Sequence, residues 1–360
     1  MTYESFKRVW PLAAPPIAAV VLVLAWPAAS GPVAALAGIA LIAAVFAAVH
    51  HAEEIAHAIG EPFGTLVLAL AVTIIEVALI VSVMLGGGAD KSELPRDTVF
   101  AVVMLVCNGI VGLCLLLGGV RHHEQDFRVQ GASGALAVLA ALTTLALVLP
   151  NYTLTAPGPF LTESQLIFEG LVSLVLYGAF VFVQTVRHRA DFLAAGDLPD
   201  EEPAHHAAAG PSLAICSALL VVALVAVVGL AKALTPMIET AVHQFGAPKS
   251  FVGIIIAALV LLPESFAALN AARANRFQTS LNLALGSALA SIGLTIPAVA
   301  LVAVVMDMPL TLGLGPAQQM FLALTLIVTV LTLGTGRTNV LQGTVHLVIL
   351  AAFIFMAIVP

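Results

Sequence analysis

The amino-acid sequence predicts an all-α polytopic membrane protein. We expect about eleven transmembrane helices: one N-terminal helix followed by two inverted five-helix repeats. Three observations carry this reading. Apolar residues make up 61% of the chain, charged residues only 9%, and the mean hydropathy is +1.10. No soluble domain hides that much apolar surface. The apolar stretches run for about 18–25 residues without the two-residue alternation of barrel strands, and hydrocarbon forces such spans to satisfy their backbone internally, as helices. One polar break, 187–210, divides the later spans five and five.

In chain order the spans fall at roughly 11–29, 32–49, 63–86, 97–120, 131–150, 163–186, 211–231, 236–262 with a continuation to about 272, 279–305, 316–335 and 338–358. The first has the basic start, apolar core and Trp26-Pro-Ala-Ala-Ser30 ending of a cleavable leader. We read it instead as a retained helix within 1–31; cleavage would leave ten spans. The first repeat then covers 32–186, with a short acidic helix at 50–61, and the second covers 211–360. An odd number of spans per repeat turns the second unit over in the membrane, the architecture of many secondary transporters with a midplane site. The segment 187–210 is an acidic, His-containing cytoplasmic linker, bearing Asp191, Asp197, Asp200, Glu201, Glu202, His205 and His206.

The positive-inside rule orients the chain. With the N-terminus cytoplasmic, Lys7, Arg8, Arg121, Arg128, Arg187, Arg189, Arg273, Arg276 and Arg337 fall inside. Lys91, Arg96, Lys232 and Lys249 fall outside, and the C-terminus is external. The net charge of -7 comes without a basic stripe, so nucleic acid is excluded as a partner. The partners expected are the lipid bilayer, inorganic cations and protons. The oligomeric state is not legible. Cys107, Cys114 and Cys216 lie in apolar segments and read as packing residues.

Two residues break the apolar pattern in its middle. Glu76 lies in the run from Phe63, and Glu264 in the run from Phe251. A carboxylate at mid-membrane costs roughly 2.5–3.5 kcal/mol on insertion scales, so two in related segments of opposite halves point to a paired cation site. Facing one cavity, they repel unless a cation or protons neutralise them, and that competition is the basis of exchange. The following spans supply small and polar candidates for secondary ligands: Asn108 after Glu76, and Asn282, Ser287 and Ser291 after Glu264. Thr73 lies one turn before Glu76 on the same face. Pro263 removes a backbone hydrogen bond beside Glu264 and frees a carbonyl, the kind of oxygen a hard cation takes. Glu169 sits a turn or two inside its span and reads as interfacial, and Asp307 as water-facing.

The stretch 50–61 places His51, Glu53, Glu54 and His57 on a cytoplasmic surface suited to proton collection or pH sensing. His50, a glutamate and His57 share a face and could hold zinc, which makes an intramembrane metallohydrolase the enzyme alternative. The usual H-E-x-x-H pattern is missing. A passive channel is a third reading, but it would need a polar lining along several helices.

Ala52-Glu53-Glu54-Ile55-Ala56-His57-Ala58-Ile59-Gly60-Glu61-Pro62-Phe63-Gly64, leading into Ile74-Ile75-Glu76-Val77, resembles the first repeat of the calcium/cation antiporter superfamily. Leu262-Pro263-Glu264 with Asn282-Leu283 and Gly286-Ser287 resembles the second. Gly336-Arg337-Thr338-Asn339-Val340-Leu341 and the linker are similar to the bacterial ChaA-type sodium/calcium–proton branch. The resemblance implies an eleven-helix secondary transporter of the bacterial inner membrane, without a cofactor, exchanging cytoplasmic Ca2+ for protons by alternating access. It implies Glu76 and Glu264 as the cation and proton carboxylates. Thr73 and Leu261 stand where the vacuolar branch has Asn, so Na+ or K+ remains the alternative substrate.

Overall fold

The computed structural model describes residues 3–60, 63–87, 92–193, 212–244 and 250–359, with 246 and 248. We number its spans in chain order: α1 (Tyr3–Ala25), α2 (Gly31–Ile59), α3 (Phe63–Gly87), α4 (Leu94–His122), α5 (Val129–Tyr152), α6 (Glu163–Arg187), α7 (Leu213–Gln244), α8a (Phe251–Val260) with α8b (Leu262–Arg273), α9 (Phe277–Val305), α10 (Pro316–Leu333) and α11 (Val340–Ile358). Among the described residues, eight helices are long and apolar enough to cross a membrane, and the bent α8a–α8b pair adds a ninth. The shorter apolar stretches Val9–Ala25 and Ala69–Met84 lie in α1 and α3. These together correspond to the eleven expected spans, and the chain is a multi-pass, all-α membrane protein.

The packing forms two compact units that ignore the division of the chain into halves. One combines residues 1–87 with 206–252, and the other 88–205 with 253–360. In the first, α2 packs on α1, α3 and α7. Its inner face is a run of small residues (Ala34, Ala37, Ala40, Ala44, Ala47 and Ala48), all buried, which lets neighbouring backbones approach closely. Gly229 of α7 serves the same end: a Cβ there would fall 2.6 Å from Leu22 of α1.

In the second unit, α4 and α9 are the buried spans. Val99 to Met104 of α4 are enclosed on every side, as an apolar helix without a polar face should be. Both spans are interrupted by a π turn, at Leu105–Ile110 and Ser291–Thr295. Such turns mark places where the regular ladder yields to a local requirement. α11 packs on α4 at glycines of both helices, Gly109, Gly112 and Gly119 of α4 and Gly343 of α11. A Cβ on Gly343 would lie 2.5 Å from the Leu116 nitrogen, so nothing larger fits. α6 packs against α9 and α5, and α8b against α9 and α4.

Three expectations change. The helix expected at 211–231 continues through Pro236 to Gln244, so the boundary before the Glu264 segment falls at 244–251. Lys232 therefore lies within α7, with its Nζ 5.6 Å from the Trp26 ring centroid, rather than in an external loop. Arg96 also lies inside a helix, buried in the first turn of α4. Finally, 50–59 is no separate helix but the end of α2. At about 1.5 Å per residue, α2 reaches about 43 Å, more than the roughly 30 Å hydrocarbon, so its last turns project beyond it. Of the linker 187–210, residues 194–210 lie outside the described residues; Arg189–Phe192 is a short 3-10 turn.

Candidate functional site

Glu76 belongs to the first unit and Glu264 to the second. Glu76, in the middle of α3, is 0% exposed. Thr73, one turn earlier, is buried too, and its hydroxyl donates to the Ala69 carbonyl at 2.8 Å. That bond leaves the Thr73 oxygen lone pairs able to accept or ligate.

Glu264 is half-buried at a break in its span. α8a ends at Val260, the chain bends by 57°, and Glu264 stands in the first turn of α8b behind Pro263. The break has a local cause: Pro263 offers no N–H to the Leu259 carbonyl and restricts the residue before it. Its consequence is electrostatic, because a carboxylate in the first turn meets the positive end of the α8b dipole. Ser265 closes the corner by donating to the Leu261 carbonyl at 2.6 Å.

The secondary candidates separate into two groups. Ser287 and Ser291 lie one turn apart on α9, the span that α8b packs against. The Ser287 hydroxyl is enclosed and has no hydrogen-bond partner among the described residues, which leaves it available to a ligand. Ser291 opens the π turn and is buried. The two asparagines are engaged elsewhere. Asn282 donates to the Phe192 carbonyl at 2.5 Å and accepts from Gln278 at 3.0 Å, so it tethers the turn after α6. Asn108, in the π turn of α4, donates to Thr325 Oγ1 at 2.9 Å, and its Oδ1 lies 3.1 Å from His346 Nδ1.

His346 is a residue that motif reading missed. It is fully buried on α11, and its Nε2 lies 3.1 Å from Thr332 Oγ1. One tautomer satisfies both contacts, with Nδ1–H donating to Asn108 and Nε2 accepting from the threonine hydroxyl. The signal available was its standing as the lone titratable residue in 340–358. Arg96 and Asp97 were also missed as a buried pair. Arg96 Nε donates to Asp97 at 3.0 Å and Nη1 to the Gly313 carbonyl at 3.1 Å, which pins the loop before α10 to the start of α4.

The acidic end of α2 is only partly the open surface expected. Glu53, Glu54 and His57 are exposed, and Asp307 likewise faces outward. His51 does not: it is 1% exposed, its Nε2 is 2.9 Å from the Pro11 carbonyl of α1, and its ring lies beside that of His50, tilted by 59°. It joins α1 to α2. The zinc reading finds no ligand set, since no three His, Cys, Asp or Glu side chains among the described residues come together as a metal site. Glu169, expected at the interface, is 6% exposed inside the second unit.

A family pattern described as sodium/calcium exchanger protein matches the chain twice, over residues 31–186 and 216–359. The chain belongs to the sodium/calcium exchanger family. It is 52% identical over 320 residues to y4hA of Sinorhizobium fredii, provisionally named an ionic transporter, covering 89% of this chain and 87% of that one. It is 35% identical over 321 residues to ChaA of Escherichia coli, named a sodium-potassium/proton antiporter, with the same coverage. Among solved structures, native YfkE superposes on the exchanger with a TM-score of 0.73 over 98% of this chain and 99% of that one, at 16% identity. That last likeness speaks for the fold alone. The exchanger is thus a secondary transporter rather than an enzyme, and the double match shows that both halves carry the family pattern.

Proposed function

We propose that the exchanger moves Ca2+ out of the cytoplasm against protons, with Glu76 and Glu264 as the carboxylates that the two ions share. Cation/proton antiport is the activity named for its relatives in Escherichia coli and Bacillus subtilis, the second a Ca(2+)/H(+) antiporter at 25% identity. The observation that carries the reading is the placement of Glu264. A helix broken in mid-span presents a carboxylate, a dipole end and a backbone carbonyl without its usual amide at one point, on a helix that packs against the span bearing Ser287. Oxygen donors of this kind suit a hard cation. Two carboxylates match the charge of one divalent ion or two protons, so exchange on them need leave no buried charge uncompensated. Alternating access then follows if the empty, doubly ionised state reorients slowly.

Na+ or K+ is the second reading, and the name of the 35% identical relative is what favours it. The bacterial inner membrane, with a cytoplasmic N-terminus, is the setting that fits both. The test is proton flux in everted vesicles holding a respiratory pH gradient, with Ca2+, Na+ or K+ added in turn. Collapse on Ca2+, lost in Glu76→Gln and in Glu264→Gln while both variants still insert, is the expected result. Collapse on Na+ or K+ alone changes the substrate. Full activity in either neutral variant overturns the paired site.

A further inference from the structure

The second unit holds a buried carboxylate that the proposed exchange leaves unused. Glu169 is the seventh residue of α6. Its Oε1 accepts from Ser173 Oγ at 3.0 Å, one turn along the same helix. Its Oε2 is enclosed and has no hydrogen-bond partner among the described residues. The helices packed against α6 are α5 and α9, and neither contains Asp, Glu, His, Lys or Arg. On α6 itself the other titratable groups are Glu163, exposed at the helix start, Tyr177, and Arg187 at the far end. No cation on these elements therefore balances an ionised Glu169, and a bare carboxylate in such surroundings is costly.

The facing helix α9 touches α6 here: a Cβ on Gly170, next to Glu169, would lie 3.4 Å from Pro297 Cα. The other half shows what a filled site looks like. His346 is the seventh residue of α11, and both of its ring nitrogens are met by side chains of neighbouring spans. Glu169 occupies the same place in α6 but receives only the serine of its own helix.

We propose that Glu169, with Ser173, is a proton-binding site separate from the Glu76 and Glu264 carboxylates. The donor set selects the ligand. One carboxylate and one hydroxyl fall well short of the roughly 6–8 oxygens that Ca2+ takes. A proton needs only Oε2, which becomes a donor once loaded. Loading and unloading this group couples turnover to pH without touching the transported cation.

The first experiment needs no variant and no transport. The purified exchanger is treated with dicyclohexylcarbodiimide, which modifies protonated carboxyls in apolar surroundings, across a pH series, and the peptide bearing Glu169 is quantified by mass spectrometry. Modification that falls along a single titration as pH rises, and is unchanged by saturating Ca2+ or Na+, is the expected result. No modification at any pH, or protection by either cation, overturns the proposal. The second experiment is the pH profile of proton flux in Glu169→Gln, which should lose one ionisation present in the parent; superimposable profiles also overturn it. Labelling that titrates in a protein inactive toward Ca2+ would remove the substrate reading and leave this site standing.

Discussion

Asn108→Ala separates a ligand from a structural amide. The residue follows the Glu76 segment and invites assignment to the cation, yet both ends of its amide are held inside the second unit, at 2.9 Å by Thr325 and 3.1 Å by His346. Removing it deletes two interhelical hydrogen bonds, each worth about 0.6 kcal/mol on average within membranes. It also strands the His346 N–H, at about 1–3 kcal/mol for a buried group left unmade. We expect a destabilisation of about 2–4 kcal/mol, from two bonds and one orphaned donor. The half-saturating cation concentration for proton flux should stay within about twofold, since a tenfold change would require a further 1.4 kcal/mol or so. Reversible unfolding in mixed micelles measures the first quantity and vesicle flux the second. A tenfold loss of apparent affinity with unchanged stability would refute the reasoning and return Asn108 to the ligands. His346→Leu should reproduce the stability loss, and combining it with Asn108→Ala should cost less than the sum because the shared bond is counted once.

The remaining expectations are simpler. Gly343→Ala should destabilise by about 1–3 kcal/mol, as overpacking does, because the new methyl meets the α4 backbone rather than a side chain able to move; unchanged unfolding would show that the α4–α11 crossing can open. His57→Ala, at an exposed position on the end of α2, should move the pH optimum of flux and leave the maximal rate in place. Activity lost at every pH would assign that end of α2 a role in the transport step itself. Glu264→Asp should keep exchange with reduced apparent affinity, since the shorter side chain retains the charge at the helix break but draws back from the ion.

The helical class, the approximate number of spans, the polar break between the halves and the two glutamates of the proposed site can all be read from composition and order alone. Hydrocarbon admits only helices here, and an ionisable group deep within one is rare enough to stand out. The end of α7 was misplaced because Lys232 and Pro236 resemble a loop signal, while a long helix tolerates both when neighbouring helices support it. Which face of a span meets protein rather than lipid was not legible, because both surroundings are apolar and the hydrophobic pattern that marks the inside of a soluble helix is weak. Tertiary packing alone therefore decided that Glu169 and His51 are enclosed, that Asn108 and Asn282 are spoken for, and that His346 lies between two helices. In a membrane, sequence sets where the chain crosses, and helix-to-helix contact sets what each polar side chain meets there.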